Sequence, residues 1–367
     1  MDFLFYTFVA LCVIQLVFHF VFLLYFALEK IPRSKLKNIP VSVIICAKNE
    51  AENLKQFLPS VIEQDYPNFE IVLIDDDSYD ETLEIMESFA EKHSNIKLVK
   101  VKNIEAFWSN KKYALTLGIK ASSHDFLLFT DADCEPVSKH WIKEMSSHFS
   151  NKKTLVLGYG GYAKIKNSLL NKLIRFETLL TATQYFSFAK AGMPYMAVGR
   201  NLAYRKEEFF NARGFMNHMH ICSGDDDLFV NEVGTKQNTT VCYSPNSFTI
   251  SLPKTSFKEW ILQKRRHIST AHYYKFKHQV ILTLFFSSQF FFWLLLGILV
   301  ALGYSWELIL SAFLVRFLIS GLVFYFSSRK LNEKDVFYLF PIYEICLIFI
   351  QLYIFIYNLF SKPVPWK

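Results

Sequence analysis

Four long runs of the chain carry almost no charge, and they constrain the fold more than any other feature of the sequence. They cover residues 3–28, 279–302, 306–326 and 336–360. About 20 consecutive apolar residues are enough for a helix to cross the hydrocarbon core of a bilayer. The sequence therefore predicts a multi-pass membrane protein, with an N-terminal anchor at residues 1–28 and a C-terminal membrane region at residues 279–367.

The basic residues that flank the polar block 29–277 predict its orientation. They are Lys30, Arg33, Lys35 and Lys37 after the first run, and Lys275 and Lys277 before the second. Because Lys and Arg are enriched in cytosolic segments next to membrane spans, we expect the block to face the cytosol at a cell membrane. Four crossings would then place both termini outside. A cytosolic C-terminus would instead require a re-entrant or interfacial segment near that end.

Two charged residues lie deep within the C-terminal apolar runs. Arg316 belongs to the third run and Glu344 to the fourth. At about 1.5 Å per helical residue the two lie at similar depth in the membrane. Charges this deep are usually paired or line a pathway. We therefore predict a mutual contact; the alternative is that either charge faces a lipid or an acceptor groove.

Composition excludes several classes of protein. Hydrophobic residues make up 52% of the chain, which excludes disorder. The net charge is only +7, whereas a nucleic-acid-binding protein carries a concentrated basic stripe. Such a mild surplus suits contact with anionic membrane lipids. The 6 cysteines are scattered and form no CxxC pair, so neither a zinc site nor a disulfide framework is expected.

The first hundred residues of the polar block alternate between strand and helix patterns. The predicted strands are 41–46, 69–74, 97–101 and 125–129, and the predicted helices are 50–64, 81–91 and 111–121. This alternation indicates a parallel α/β sheet wound as in nucleotide-binding folds. We assign residues 29–252 to this domain and residues 253–278 to an interfacial helix region.

Polar clusters follow three of the predicted strands, at the edge where parallel sheets bind ligands. They are Lys48-Asn49-Glu50, Asp75-Asp76-Asp77-Ser78 and Asp131-Ala132-Asp133. Asp and Ser also occur in ordinary turns, but three clusters at successive strand ends favour a site. Two carboxylates at i and i+2 suit Mg²⁺ or Mn²⁺, with diphosphate oxygens completing the coordination. The sequence therefore predicts a metal site at Asp131 and Asp133.

Two further motifs lie closer to the second membrane run. Gly224-Asp225-Asp226-Asp227-Leu228 contains three adjacent acids, one of which could take a proton from an attacking hydroxyl if held in a pocket. Its alternative is a solvated acidic turn. Gln263 and Arg266 lie three residues apart, which places amide and guanidinium on one face of a helix. Their alternative is a basic patch that faces lipid head groups.

Taken together, these motifs resemble the family 2 glycosyltransferases. The motifs are VSVIICAKNE at 41–50, the acids at 75–78, Lys111 with Ala114-Leu115, the DxD at 131–133, the acids at 224–227 and QxxR at 263–266. More narrowly, they resemble the membrane-integrated members related to hyaluronan, cellulose and ceramide-glucose synthases. The resemblance implies a GT-A fold, a nucleotide-sugar donor, Mg²⁺ or Mn²⁺, and transfer with inversion at the anomeric carbon.

The resemblance also implies roles for individual residues. The donor nucleotide would contact Ala47, Lys48, Glu50, Asp76, Lys111, Asp131, Gln263 and Arg266. Asp133 would be the direct metal ligand beside Asp131. Gly199, Arg200 and Asn201 would belong to the loop next to the acceptor and the donor sugar.

Two departures from the family pattern affect the site. The family's last motif ends in Trp, and this chain has His267 there, after the additional cations Lys264 and Arg265. The base motif fits two registers. One register makes Asp226 the catalytic base, and the other makes it Asp225; we favour Asp225 slightly because Leu228 and the following helix pattern then stay in register.

The sequence thus predicts a membrane-bound inverting glycosyltransferase. Its donor would be a nucleotide sugar, with a UDP-sugar preferred, and its acceptor a lipid-linked molecule or a glycan at the cytosolic membrane face. One alternative is a polyprenyl-phosphate glycosyltransferase, whose anionic acceptor needs no base. A second alternative, from a different class, is a non-catalytic membrane scaffold of the same fold.

Overall fold

The computed structural model describes residues 1–30, 38–102, 110–221 and 223–361. Arg33, Lys35 and Lys37, which carry part of the orientation prediction, lie outside the described residues, as does Cys222.

The described residues form helices throughout the chain. They are Asp2–Phe22 (α1), Ala51–Ile62 (α2), Thr82–Lys92 (α3), Asn110–Ala121 (α4), Trp141–Ser147 (α5), Leu169–Lys190 (α6), Lys206–Asn211 (α7), Asp227–Val233 (α8), Phe257–Thr270 (α9), Phe276–Ala301 (α10), Trp306–Lys330 (α11) and Phe340–Phe360 (α12). A π-helical turn, Leu23–Ala27, extends α1, and a 3-10 segment, Lys334–Leu339, precedes α12.

Two sheets lie between the first and second apolar helices. Their strands are Val41–Ala47 (β1), Phe69–Asp76 (β2), Ile96–Val101 (β3), Phe126–Asp131 (β4), Cys134–Pro136 (β5), Leu155–Leu157 (β6), Gly160–Tyr162 (β7), Leu202–Arg205 (β8), Thr239–Val241 (β9) and Thr249–Ser251 (β10). The large sheet has the order β3-β2-β1-β4-β8-β6-β9, and the small one the order β5-β10-β7.

The predicted alternation of strands and helices is confirmed over the first half of the domain. Strand β1 pairs in parallel with β2 and β4, and β2 pairs in parallel with β3. Beyond β4 the sheet departs from the expected parallel arrangement, because β8 runs antiparallel to both β4 and β6. Strands of three or four residues, such as β6 and β8, are too short to show a hydrophobic period in the sequence.

Both faces of the large sheet are buried, which explains the continuous apolar run of β1. Ile44 packs into one core, while Val43 and Ile45 pack into the core on the opposite face. A strand covered on both faces reads as an uninterrupted hydrophobic sequence. Polar residues are consequently confined to the strand ends, where they can form a site.

Among the described residues, four helical segments are long and apolar enough to cross a membrane. They are Asp2–Ala27, Phe276–Ala301, Trp306–Lys330 and Lys334–Phe360. The expected arrangement of one N-terminal and three C-terminal apolar helices is therefore confirmed.

A buried polar cluster joins these four helices. Arg316 of α11 forms an ion pair with Glu344 of α12, with Nη1 lying 3.2 Å from Oε2, and both side chains are 1% exposed. Arg316 also donates to Gln15 of α1 across 3.3 Å, and Gln289 of α10 donates to Glu344. The predicted contact between Arg316 and Glu344 is confirmed, so neither charge is left to face lipid without a partner.

Helix α6 attaches the α/β domain to the apolar helices. Near its start, Arg175 pairs with Glu333 and Asp335, in the segment that connects α11 to α12. At its end, Lys190 pairs with Glu29, which follows the first apolar helix. The membrane region and the domain are thus joined at both ends of one helix.

Both ends of the last apolar segment contact the polar block. Asp335 lies at its start and pairs with Arg175 of α6. At its other end, Arg265 of α9 donates to the Asn358 side chain across 2.8 Å and to the Ser361 carbonyl across 2.7 Å. A straight crossing would separate these ends by the ~30 Å of the hydrocarbon core. Since α12 is one unbroken helix of 21 residues, these contacts favour a strongly inclined segment over a fourth upright crossing.

We expect Arg316→Met to lower the stability of the purified protein in detergent, because it leaves the buried Glu344 charge unpaired. Breaking a buried ion pair typically costs about 3–5 kcal/mol. Adding Glu344→Gln should recover most of the loss, and Val315→Met on the exposed face of α11 should change little. Thermal unfolding in detergent measures all three. A double variant no more stable than Arg316→Met would contradict the role of the pair.

We expect the C-terminus to lie on the same side of the membrane as the α/β domain. In a background free of native cysteines, Lys367→Cys should react with an impermeant maleimide only in vesicles where Glu91→Cys, on the exposed surface of the domain, also reacts. Asp2→Cys should react in vesicles of the opposite orientation. Reaction of Lys367→Cys together with Asp2→Cys would show that the last segment crosses the membrane.

Candidate active site

A cavity lies at the carboxyl ends of the central strands. Parallel pairing brings these ends together, because Ala47 lies opposite Asp75 and Cys46 lies opposite Asp131. The predicted site residues that line the cavity are Lys111, Asp131, Gly199, Asp225 and Asp226. Residues up to 115 positions apart in the sequence thus line one cavity.

Lys111 joins two of the acidic clusters. Its Nζ lies 3.1 Å from Asp131 Oδ1 and 3.3 Å from Asp225 Oδ2. Burial alone would lower the pKa of Lys111, but Asp131 and Asp225 raise it well above its ordinary value. Burial would likewise raise the pKa of Asp225, but Lys111 holds it below its ordinary value. Lys111 is therefore charged and Asp225 ionised at neutral pH.

Asp226 has a different environment from its neighbour. Its carboxylate accepts hydrogen bonds from the backbone N–H of Gly199 across 2.6 Å and of Asp227 across 2.7 Å, the latter at the start of α8. Burial, and then the charges of Asp225 and Asp227, raise the pKa of Asp226 to about 8. A carboxylate with a pKa near neutral pH suits proton transfer in either direction.

Asp227 holds the acidic run in place. Its Oδ2 accepts hydrogen bonds from Tyr274, across 2.7 Å, and from Thr270. Gly224 permits the preceding turn, since its φ of +92° is unfavourable for other residues and a Cβ there would lie 2.5 Å from Leu228. Asp227 therefore connects the acidic run to the end of α9, while Asp225 and Asp226 line the cavity.

The DxD carboxylates form a group that fits a divalent cation. Ligand atoms of Asp131, Asp133 and Cys134 lie within 4.8 Å of one another. Burial and the neighbouring Asp131 raise the pKa of Asp133, which is the effect expected where carboxylates converge without a cation. Burial and these same carboxylates also raise the pKa of the Cys134 thiol, which lies 2.9 Å from the Ser251 hydroxyl. The two aspartates, and not the protonated thiol, fit Mg²⁺ or Mn²⁺.

The residues predicted to bind the nucleotide follow β1 and β2. Ala47 and Asp76 end their strands and are 2% and 1% exposed. Lys48 is also buried, with its Nζ 5.6 Å from the centre of the Tyr79 ring. Burial, together with the charges of Asp133 and Asp131, raises the pKa of Glu50, so this carboxyl lies within electrostatic reach of the metal group. The strand ends therefore bring the predicted nucleotide and metal residues to one edge.

The loop of residues 199–201 contributes differently at each position. Gly199 donates to Asp226, as described above. Arg200 donates to the Gly160 carbonyl across 2.8 Å, and its guanidinium lies 4.2 Å from the centre of the Tyr162 ring.

Asn201 does not reach the cavity surface. It is fully buried, where its side chain donates to the Tyr159 and Ser247 carbonyls and accepts from the Trp141 indole across 3.0 Å. A Cβ on Gly158 would lie 2.4 Å from the Asn201 amide carbon, so glycine is needed there. Asn201 thus fixes the shape of the loop rather than contacting a substrate.

Helix α9 places the QxxR motif and His267. Gln263 and Arg266 are half-buried, and Gln263 Oε1 has no hydrogen-bond partner among the described residues. Desolvation, followed by the charges of Lys264 and Arg266, lowers the pKa of His267. His267 is therefore neutral at pH 7.

The two additional cations of α9 have structural partners that the sequence did not reveal. Lys264 pairs with Glu177 of α6 across 2.5 Å, and both side chains are 13% exposed. Arg265 is buried and bonds to the end of α12, with its guanidinium 3.8 Å from the Tyr357 ring centre. These contacts hold the motif helix between the α/β domain and the last apolar helix.

Lys112 is a further residue that sequence reasoning missed. It is 1% exposed, and its Nζ donates to the carbonyls of His218 across 2.7 Å and Ile221 across 3.0 Å. It thus anchors the segment that leads into the acidic run. Its signal in the sequence was the Lys111-Lys112 pair, in which one lysine faces the cavity and the next faces the loop.

The chain is similar to known glycosyltransferases. The model of the family described as glycosyl transferase family 2 matches residues 42–221. The chain is 39% identical over 93 residues to a cholesterol galactosyltransferase of Borreliella burgdorferi, which is 25% of each chain. It is 26% identical over 193 residues to a 4,4'-diaponeurosporenoate glycosyltransferase of Staphylococcus haemolyticus, covering 50% of this chain and 49% of the relative. The matches therefore span between a quarter and about half of the length of these relatives.

The fold resembles that of a mannosyltransferase from Pyrobaculum calidifontis, whose structure contains GDP-mannose and Mn²⁺. The TM-score is 0.54 at 18% sequence identity, over 92% of this chain and 99% of the other. At this identity the likeness shows the fold alone, and it confirms the expected GT-A architecture. Residues 42–221 of this chain therefore match glycosyl transferase family 2, on a fold of the architecture expected for that family.

Proposed function

We propose that the protein is a membrane-bound inverting glycosyltransferase. It transfers a sugar from a nucleotide sugar, with a UDP-sugar preferred, to a lipid-linked or glycan acceptor at the cytosolic face of the membrane. The observation that carries the proposal is the cavity in which Lys111 links Asp131 to Asp225 at the strand ends of a family 2 domain. Ligands of open α/β sheets bind at this edge.

The donor would occupy the strand-end groove. Its nucleoside would lie along Ala47, Lys48, Glu50 and Asp76, and its diphosphate would lie nearer Lys111. Gln263 and Arg266 would close over the diphosphate from α9, since a guanidinium can bind phosphate oxygens with two parallel hydrogen bonds. The unpaired Gln263 amide oxygen and the half-buried Arg266 support this orientation of α9.

Asp131 and Asp133 would hold Mg²⁺ or Mn²⁺ beside the diphosphate. When bound, such a cation supplies electrostatic stabilisation of the departing nucleoside diphosphate. Lys111 contributes a second positive charge at the same edge, because it lies 3.1 Å from Asp131. The close approach of the Asp131 and Asp133 ligand atoms, which lie within 4.8 Å of each other, supports the assignment.

The acidic run would supply the base. In the proposed step, a carboxylate takes the proton of the acceptor hydroxyl while the acceptor oxygen attacks the anomeric carbon. The bond from that carbon to the diphosphate oxygen breaks on the opposite face, which inverts the configuration. The motif register favoured Asp225, but its pairing with Lys111 makes it a weak base. Asp226, with a pKa of about 8, is the stronger candidate.

A polyprenyl-phosphate acceptor is the main alternative, since its phosphate oxygen attacks without a base. The two buried acids at the cavity favour an acceptor hydroxyl instead. A non-catalytic scaffold would not need Lys111, Asp131, Asp133 and the acidic run to lie together. The structure therefore supports this function less than either enzymatic function.

We expect purified protein to release nucleoside diphosphate from one donor in a screen of nucleotide sugars, and to lose this activity with excess EDTA. Asp133→Ala should reduce the release at least about 100-fold, because several kcal/mol of charge stabilisation depend on the cation. Its stability should change little, since no core volume is lost. Mn²⁺ binding, followed by electron paramagnetic resonance, should weaken in parallel.

Glu135→Gln is the matched control, because Glu135 lies two residues further on and its side chain is exposed. It should keep both Mn²⁺ binding and activity. Full activity in Asp133→Ala, or activity insensitive to EDTA, would refute the metal assignment. Release from no donor would contradict the proposed function itself.

We expect the pH profile of kcat/KM to identify the base. If Asp226 must be ionised, activity should rise about tenfold per pH unit below pH 8 and level off above it, since its ionised fraction rises in that way. Asp226→Asn keeps a helix-capping side chain but should reduce kcat/KM about 10²–10⁴-fold. Asp225→Asn should instead shift the profile to lower pH, because it removes a negative charge next to Asp226.

A severe loss of kcat/KM in Asp225→Asn, with Asp226→Asn still active, would show instead that Asp225 is the catalytic base. Full activity in both variants would favour the polyprenyl-phosphate acceptor.

A further inference from the structure

An exposed aromatic side chain lies at the edge where the donor nucleoside is proposed to bind. Tyr79 follows β2 and is 80% exposed. A single apolar residue on a surface needs no explanation by itself. The Tyr79 ring, however, lies next to Lys48 of the proposed nucleoside groove, with the ring centre 5.6 Å from Lys48 Nζ. The ring is therefore placed to contact a nucleoside in this groove.

The backbone that carries Tyr79 is bonded to the neighbouring strand end. Its N–H donates to Asn49 Oδ1 across 2.9 Å, and the Asn49 N–H donates to the Ser78 hydroxyl across 3.1 Å. The N–H of Glu50, one residue further on, donates to the Thr82 hydroxyl across 2.8 Å. These bonds join the loop after β1 to the loop after β2. The Tyr79 ring is therefore carried by a cross-linked pair of loops.

Both loops turn sharply through a residue with left-handed backbone. The φ angle is +56° at Asn49 and +58° at Asp77, and Asn and Asp adopt this conformation more readily than most other side chains. With the bonds between the loops, these turns fix the shape of the edge before a ligand binds. A ligand that docks on a preorganised surface loses less free energy to the ordering of that surface.

Lys48 supplies an unpaired donor next to the ring. The residue is 8% exposed, and among the residues that the structure describes its ammonium forms neither a hydrogen bond nor an ion pair. A buried ammonium without an acceptor is costly, and the π face of Tyr79 compensates only part of that cost. A ligand in the groove that presents an acceptor oxygen to Lys48 would compensate the rest.

A nucleobase matches both groups. A flat ring stacked on Tyr79 would lie about 3.5–4.0 Å from it, so an ammonium 5.6 Å from the ring centre would be near the edge of the stacked base. At corresponding edge positions, uracil and guanine carry a carbonyl oxygen, whereas cytosine and adenine carry an amino group. Because lysine is a donor only, it pairs with the carbonyl and not with the amino group. The two residues therefore favour uracil or guanine.

We infer that the Tyr79 ring stacks on the nucleobase of the sugar donor, while the Lys48 ammonium donates a hydrogen bond to a carbonyl oxygen of that base. The inference rests on the proposed function and narrows its donor to a uridine or guanosine diphosphate sugar. Tyr79 contributes affinity for any flat base, since every base has a π face. Lys48 selects among bases by the group that they present at this edge.

The experiment measures binding of UDP, GDP, CDP and ADP to the full-length protein in detergent with Mn²⁺, by isothermal titration calorimetry without acceptor. The tightest ligand should be UDP or GDP, at least about tenfold tighter than CDP and ADP, the fold-change of one hydrogen bond to a charged group. Lys48→Met should remove this preference. Tyr79→Ala should weaken binding of the preferred nucleotide at least about fivefold, the smaller value for stacking of a base on an aromatic ring.

Tyr79→Phe keeps the ring and is the matched control, so it should bind the nucleotide as the wild-type protein does. Phe210→Ala removes a different exposed ring, on α7, and should also leave binding unchanged. Inorganic pyrophosphate has no base, so its affinity should be the same in Tyr79→Ala and the wild-type protein.

Three outcomes would overturn the base site: unchanged nucleotide affinity in Tyr79→Ala, an equal loss of affinity for pyrophosphate in that variant, or CDP or ADP as the tightest ligand. Each of these outcomes leaves the proposed transferase intact. Binding of no nucleoside diphosphate at all would instead contradict the proposed function, and the base site with it.

Discussion

The charge balance around Lys111 is the constraint on which the active site depends. The strand ends of β1, β2 and β4 and the turn before α8 bring several carboxylates to one buried edge, where they would repel one another. Lys111 lies between Asp131 and Asp225 and compensates part of this charge. The negative charge that Lys111 does not compensate, together with burial, raises the pKa values of Asp133 and Asp226. In the proposed mechanism, Asp133 binds the cation and Asp226 takes the acceptor proton.

The membrane region positions this site as well as anchoring it. Helix α9 carries Gln263 and Arg266, and it is held from two directions: Lys264 binds Glu177 of α6, and Arg265 binds the end of α12. Helix α6 is itself paired with segments that flank the apolar helices. The position of Gln263 and Arg266 therefore depends on the packing of the apolar helices.

Local sequence patterns predicted the elements that have long apolar runs or strong periodicity. The first four strands, their helices, the four apolar segments and the Arg316–Glu344 pair follow from such patterns. The short antiparallel strand β8 could not be predicted in this way, because four residues are too few to show a hydrophobic period. The burial of Asn201 and the partners of Lys264 and Arg265 could not be predicted from local patterns either. They depend on contacts between segments that are distant in sequence.

Local sequence patterns also could not predict where the two ends of the last apolar segment lie. Hydropathy identifies a segment that is long enough to cross a membrane, but it carries no information on where the two ends of that segment lie. Arg265 supplies this information, because a buried guanidinium needs acceptors and here finds them on Asn358 and Ser361. The end of α12 is thus held against the polar block by a contact of the motif helix. The residue that makes this contact, Arg265, lies next to Arg266 on the same helix.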